Sequence, residues 1–105
     1  MAFAIELAQS AEGELSQLRA FDHRRVLEAI EQQLSDQPNV ETRNRKCLGD
    51  AMTADFEYVP PLWELRIGEY RAFYEVDGAM LVVVVHAIRK KPPDKSTAEV
   101  LNEDN

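Results

Sequence analysis

Cysteine is almost absent from this chain of 105 residues, and glycine is scarce. The single cysteine, Cys47, has no partner for an internal disulfide, so the fold cannot depend on oxidation and a cytoplasmic location is expected. Four glycines form no glycine-rich phosphate loop, and the sequence also lacks a nucleophile elbow and the ligand spacing of a zinc site. We therefore expect neither a metal nor a cofactor.

Long hydrophobic runs are missing as well. The longest, residues 79–85, has the length of one buried strand and is far too short to cross a membrane. The first residues have no basic start of the kind that signal peptides carry, and Glu6 interrupts their apolar stretch. We expect no membrane association and no export.

Positive charge is in deficit, since the formal net charge is −7. This balance argues against a general nucleic-acid binder, whose affinity comes mainly from neutralising phosphates. The charge is unevenly distributed: residues 1–42 hold eight acids and three bases, whereas residues 43–97 hold eight acids and nine bases. A local basic site can therefore exist on an acidic body.

The hydrophobic pattern predicts one α+β domain over residues 1–105, with two N-terminal helices packed on a four-stranded, mostly antiparallel sheet. The expected order is β-α-α-β-β-β, followed by a short C-terminal helix that Ser96 caps. Asp22 is expected to cap the second helix, and residues 40–61 are expected to be a connecting segment. The buried face of the second helix is predicted to consist of Val26, Leu27, Ile30 and Leu34.

Residues 62–77 give the strongest local signal, because they read as two strands joined by a tight turn at Gly68. In such a hairpin Arg66 and Arg71 lie on adjacent strands close to the turn. A third strand, predicted over residues 80–88, runs back and brings Arg89 and Lys90 towards the same turn. Guanidinium groups held together in this way favour binding of an anion, and phosphate is the first ligand to consider.

Each of these features also has a simpler interpretation. Arg66 and Arg71 can pair with neighbouring glutamates, and the Arg89 cluster can be a solvated strand end that discourages aggregation. His86 is more often a hydrogen-bonded core histidine than a catalyst. Tyr70 can belong to the core or stack on a base.

The residues of this region resemble the RelE/ParE superfamily of bacterial type II toxins. The resemblance is carried by Glu-Thr-Arg-Asn-Arg-Lys at 41–46, by Trp-Glu-Leu-Arg-Ile-Gly-Glu-Tyr-Arg at 63–71, by Phe-Tyr-Glu-Val-Asp at 73–77 and by the valines at 82–84. It spans nearly the whole chain, because the order of helices and strands also agrees with that superfamily.

The resemblance implies, first, an activity on mRNA. RelE-branch toxins bind the ribosomal A site and cleave mRNA without a metal, and this is the first hypothesis for the chain. By resemblance, Arg71 stabilises the phosphate, Arg66 supports it, and Arg89 with Lys90 supplies a further basic cluster. The expected RNA contacts are Arg43, Arg45, Lys46, Tyr70 and Lys91.

The alternative is a non-nuclease of the same fold, either a ParE-like inhibitor of DNA gyrase or an inactive relative that acts as a binding protein. Glu64 favours it, because RelE-type nucleases usually carry lysines on the strand that leads into the hairpin. In either case the resemblance implies a cognate antitoxin as partner, together with the ribosome and mRNA for a nuclease. A homodimer or a toxin–antitoxin hetero-oligomer is the expected assembly.

Overall fold

The computed structural model describes residues 2–102 and contains a mixed sheet with helices on both of its faces. The sheet order is β1-β5-β4-β3-β2, with β1 parallel to β5 and the other neighbours antiparallel. The elements are β1 (Ala4–Leu7), α1 (Gln9–Ser16), α2 (Ala20–Leu34), β2 (Arg45–Gly49), β3 (Leu62–Ile67), β4 (Tyr70–Asp77), β5 (Val82–Lys90) and α3 (Thr97–Leu101). The α+β class is confirmed.

The prediction of four strands was wrong, because β2 lies inside the segment that was expected to be a connection. This edge strand pairs antiparallel with β3 but lacks a clear alternation of apolar and polar residues. Two amides on its outer edge donate hydrogen bonds to side chains: the amide of Arg45 to Thr42 Oγ1, and the amide of Cys47 to Glu41 Oε2. An edge protected in this way is a poor template for unwanted strand pairing.

The first face of the sheet is covered by α1 and α2. Val26, Ile30 and Leu34 of α2 are fully buried, as their spacing predicted, while Leu27 is half-buried. Full burial of such a side chain contributes about 1.5–3 kcal/mol relative to exposure. The sheet residues of this core are Trp63, Leu65, Ile67, Tyr70, Ala72, Tyr74, Val83, Val85 and Ile88.

The start of α2 differs from the sequence expectation, and neither N-terminal helix has a side-chain cap. The residue before α1 is Ala8 and the residue before α2 is Arg19, and neither caps its helix with a side chain. Asp22 therefore lies inside the first turn of α2, where a carboxylate favours the positive end of the helix dipole. It accepts a hydrogen bond from the hydroxyl of Tyr70 at 3.2 Å and so connects α2 to the hairpin.

The second face is covered at its centre by α3 and by residues 50–58, which we call the covering segment. Val100 and Leu101 of α3 are buried against Leu62, Phe73 and Ala87 of the sheet. The capping box predicted at Ser96 is confirmed: Ser96 Oγ accepts the amide of Glu99, and Glu99 Oε1 accepts the amide of Ser96. The hydrogen bonds with Ser96 lower the pKa of the Glu99 carboxyl.

The last strand begins later and ends later than predicted, since β5 runs from Val82 to Lys90. Residues 78–81 form the loop between β4 and β5, and Asp77 Oδ1 accepts the amides of Ala79 and Met80. The pairing register with β4 shifts between Phe73 and Tyr74, so His86 is an extra residue in β5. This β-bulge is a local change that an apolar run does not reveal.

Beyond the end of β1, side chains of α1 form hydrogen bonds with the backbone of β5. Leu7 is the last β1 residue paired with β5, opposite Val85. Beyond it, Ser10 Oγ donates to the carbonyl of His86 at 2.7 Å, and Glu14 Oε1 accepts the amide of Ile88 at 3.1 Å. Side chains of α1 therefore bond to backbone groups of β5 that a neighbouring strand would otherwise pair with. No helix within residues 2–102 is long and apolar enough to cross a membrane.

Substitution of Ser96 tests whether the capping box fixes α3 on the second face. We expect Ser96→Ala to lower the free energy of unfolding by about 1 kcal/mol, because the amide of Glu99 loses its acceptor. Ser16→Ala is the matched control, since Ser16 Oγ only donates to the carbonyl of Gly13 within α1. Urea denaturation measures both variants, and equal losses would contradict a capping role for Ser96.

Candidate functional site

Three arginines form a row on the second face, close to the turn of the β3–β4 hairpin. Arg66 lies directly opposite Arg71, and Arg71 lies directly opposite Arg89, so all three side chains leave the same face of neighbouring strands. The turn itself depends on Gly68, whose φ is +57°. The guanidinium of Arg25 lies against it, only 3.0 Å from the place that a Cβ at Gly68 would take. The convergence predicted from the topology is thus present.

Arg71 lies in the middle of the row, and its side chain is only 9% exposed. Its Nη1 donates to the carbonyls of Gly68 and Tyr70 at 2.8 and 2.9 Å, and its Nε lies 3.8 Å from Glu64 Oε2. Burial lowers the pKa of the Arg71 guanidinium, Glu64 opposes that shift, and Arg66 adds to it. Glu64 also accepts a hydrogen bond from the hydroxyl of Thr97 at 3.2 Å.

Arg89 is held by two carboxylates and a carbonyl. Its Nε donates to Glu14 Oε2 at 2.9 Å, and its two terminal nitrogens bind both oxygens of Asp55 at 3.0 and 2.7 Å. Nη1 also donates to the carbonyl of Val100 at 2.9 Å, and the guanidinium lies 5.7 Å from the ring centre of Phe56. Burial alone would lower the pKa of Arg89, but the hydrogen bonds to Asp55 and Glu14 raise it.

We call this set of contacts the Arg89 clamp, because it joins four parts of the chain. The guanidinium comes from β5, Glu14 from α1, Asp55 from the covering segment and the carbonyl of Val100 from α3. Fork-like pairing with a carboxylate is the strongest geometry that an arginine forms. The clamp therefore fixes the covering segment and α3 on the second face.

Arg66 is the exposed member of the row. Lys46 of β2 lies opposite Glu64 and is also exposed, so it belongs to the same face. These two cations present charge outwards at this end of the sheet, whereas Arg71 and Arg89 are satisfied by the protein itself.

The other predicted site residues are dispersed. Lys90 and Tyr70 are paired with each other in the ladder and lie on the side of α2, away from the arginine row. Burial raises the pKa of the Tyr70 hydroxyl, and its hydrogen bond to Asp22 adds to this shift. Lys91 is half-buried, and its amide donates to the carbonyl of Glu69.

The basic residues around β2 also separate. Arg43 is exposed in the loop before the strand. Arg45 is buried, and its guanidinium donates to the carbonyls of Val40 and Gln33 at 3.0 and 2.6 Å, so it supports the end of α2. The structure therefore brings Arg66, Arg71, Arg89 and Lys46 onto one face, and leaves the other predicted residues elsewhere.

His86 is engaged with other protein groups, as its simpler interpretation predicted. Its Nε2 lies 2.5 Å from Glu75 Oε1, and its ring stacks on Phe56 with the ring centres 5.3 Å apart. Within residues 2–102, no group of three histidine, cysteine, aspartate or glutamate side chains is placed to hold a metal ion. The residues that sequence reasoning missed are Glu14 and Asp55, which have no local sequence signal because their partner Arg89 is distant in the chain.

Substitution of Arg89 separates support of the fold from surface charge. We expect Arg89→Gln to lower the free energy of unfolding by about 3 kcal/mol, because it leaves the carboxylates of Asp55 and Glu14, whose side chains are 12% and 30% exposed, without their cation. Arg66→Gln is the matched control in the same row and should change stability by less than about 0.5 kcal/mol. Urea denaturation of both variants measures the difference, and a stable Arg89→Gln protein would rule out the clamp.

Comparison with protein families gives a match over most of the chain. The model described as the ParE toxin of type II toxin–antitoxin system, parDE, matches residues 5–91. A comparison with curated proteins finds no match.

Solved toxin structures share the fold. The toxin–antitoxin complex RelBE2 from Mycobacterium tuberculosis matches with a TM-score of 0.69 and 21% identity, over 87% of this chain and 100% of that chain. The archaeal RelE–RelB complex from Pyrococcus horikoshii matches with a TM-score of 0.67 and 19% identity, over 89% and 99%.

The isolated RelE toxin of E. coli matches with a TM-score of 0.62 and 17% identity, over 91% of this chain and 89% of that chain. At these identities the structural likeness shows the fold alone. The family match covers α1, α2, the β3–β4 hairpin and the arginine row. The chain therefore belongs to the ParE toxin family and is a type II toxin–antitoxin toxin of the RelE/ParE fold.

Proposed function

We propose that this toxin arrests growth by binding a protein target, DNA gyrase, and does not cleave mRNA. The observation that carries the proposal is the state of the arginine row. Two of its three guanidiniums are buried and bonded within the protein, which leaves Arg66 as the exposed member.

RNA cleavage by a ribose 2′-hydroxyl needs two things from a protein: stabilisation of the charge on the phosphorane and a group that accepts the hydroxyl proton. Arg71 is the residue expected to stabilise the phosphate, but Glu64 lies 3.8 Å from it and would repel a phosphate. Arg89 is surrounded by two carboxylates. His86, the histidine nearest to this region in the chain, already pairs with Glu75.

Protein binding makes different demands, and this surface meets them. Arg66 and Lys46 are exposed cations on neighbouring strands of the sheet, and cations of this kind bind the carboxylates of a partner through charge-assisted hydrogen bonds. The net charge of −7 disfavours non-specific attraction to nucleic acid while leaving such local contacts intact.

The proposal includes a cognate antitoxin, encoded beside this chain, that neutralises the toxin in a hetero-oligomer. It is supported by the family match and by the similar toxins from Mycobacterium tuberculosis and Pyrococcus horikoshii, which were solved as complexes with their antitoxins. Arg66 and Lys46 are the contact residues that we assign to the target.

A second candidate is RelE-like cleavage of mRNA on the ribosome, with Arg71, Arg66, Arg89 and Lys90 as the working residues. The alignment of three arginines across β3, β4 and β5 favours it, because such a row can face a phosphate. It would require Arg71 to exchange its carbonyl partners for the RNA.

Induced expression with mapping of mRNA 5′ ends distinguishes the two candidates. We expect growth arrest without codon-positioned cuts, and purified toxin should inhibit supercoiling by DNA gyrase. Arg66→Ala should weaken that inhibition about tenfold, because an exposed charge-assisted contact is lost. Arg43→Ala, which removes an exposed arginine from a loop outside the row, should leave inhibition within about twofold.

Codon-positioned cuts that disappear in an Arg71→Ala variant of preserved stability would refute the proposal and establish the second candidate. Absence of both arrest and inhibition would instead identify an inactive relative that acts only as a binding protein.

A further inference from the structure

One end of the second face is left open by α3 and the covering segment. Here Val82 and Val84 of β5 are half-buried and belong to neither core cluster, and Ala4 of β1 beside them is exposed. Val59 is 67% exposed, and its amide donates to the side chain of Glu75, the residue opposite Val84 in the ladder. We call this the valine surface; it consists of Ala4, Val59, Val82 and Val84.

The rim of the valine surface is acidic. Glu6 is exposed and lies beside Val84 in the ladder, and Asp77 is exposed and lies opposite Val82. Glu57 is exposed on the covering segment. The segments that contain these residues, 2–7, 50–62 and 72–88, have no lysine or arginine. The only other titratable side chain facing it from β5 is His86, which pairs with Glu75.

An apolar strip with a negatively charged rim favours a ligand that is apolar at its centre and positively charged at its margins. Its apolar side chains gain by leaving water, and its exposed carboxylates attract cations at the margin while repelling acidic surfaces. A second copy of this chain would place Glu6 and Asp77 against their own counterparts and is disfavoured. An amphipathic helix with an apolar stripe flanked by lysines and arginines meets both requirements.

We propose that the valine surface is where the antitoxin docks, through a segment that is apolar along one side and basic along its margins. The surface chemistry is a property of this chain alone, whereas the antitoxin as its occupant rests on the proposed function. The surface lies at the opposite end of the second face from Arg66 and Lys46, so its contacts and those of the target are separate.

A pair of synthetic helical peptides tests the surface chemistry. Each has about 20 residues and the same stripe of leucine and valine, and its margins carry either lysine or glutamate. We expect the lysine peptide to bind the full chain at least tenfold more tightly than the glutamate peptide, measured by fluorescence anisotropy.

Two substitutions of equal charge change locate the binding. Glu6→Lys should weaken the lysine peptide about tenfold, whereas Glu31→Lys, exposed on α2 at the other face, should stay within about twofold. Val84→Thr keeps a β-branched residue in the strand and should weaken binding several-fold through loss of apolar contact. Equal effects of Glu6→Lys and Glu31→Lys, or no effect of Val84→Thr, would overturn the proposal.

The remaining outcomes identify the occupant. Co-expression with the antitoxin should neutralise the wild type and the Glu31→Lys toxin but not the Glu6→Lys toxin, and equal neutralisation would place the antitoxin elsewhere. A wild-type dimer in light scattering that becomes a monomer with Val84→Thr would assign the surface to a second copy and overturn the proposal. Peptide binding without growth arrest would refute the proposed function and leave the surface chemistry standing.

Discussion

The register of β3, β4 and β5 is the constraint on which the rest of this structure depends, because it places three guanidiniums side by side. Like charges at this spacing repel each other, and partial burial makes the repulsion stronger than it would be in water. The fold compensates with carboxylates from three places: Glu64 within the sheet, Glu14 from α1 and Asp55 from the covering segment. The arginine row is therefore also what holds the layers of the second face together.

The same compensation bears on whether this arginine row can bind a phosphate. A phosphate-binding row needs guanidiniums that are exposed and not already paired, whereas Arg89 is surrounded by acceptors and Arg71 donates to two carbonyls. The same pairing leaves the second face with two different ends. Exposed cations lie near the hairpin turn, and an apolar surface with an acidic rim lies near the loop between β4 and β5.

Much of the fold could be predicted from local patterns, and the failures have physical reasons. The spacing of Val26, Ile30 and Leu34 predicts α2 because a helix buries one stripe, and Gly68 marks the hairpin because its φ is positive. The edge strand β2 escapes the same reasoning, since Arg45 occupies an inward position that a pattern of apolar residues does not anticipate. Topology predicted that the arginines converge. The ion-pair partners of Arg89 could not be predicted, because Glu14 and Asp55 lie far from it in sequence.

These contacts also decide how loss of toxicity in a variant should be interpreted. Arg89 fixes α3 and the covering segment, and these elements separate the cationic end of the second face from the valine surface. A substitution at Arg89 therefore disturbs both ends, and its loss of activity would not distinguish chemistry from structure. Arg66 and Lys46 carry charge on the surface without supporting the layers, so variants at these positions test the proposed target binding without disturbing the fold. For this toxin, the residues that best test function are the ones the fold does not need.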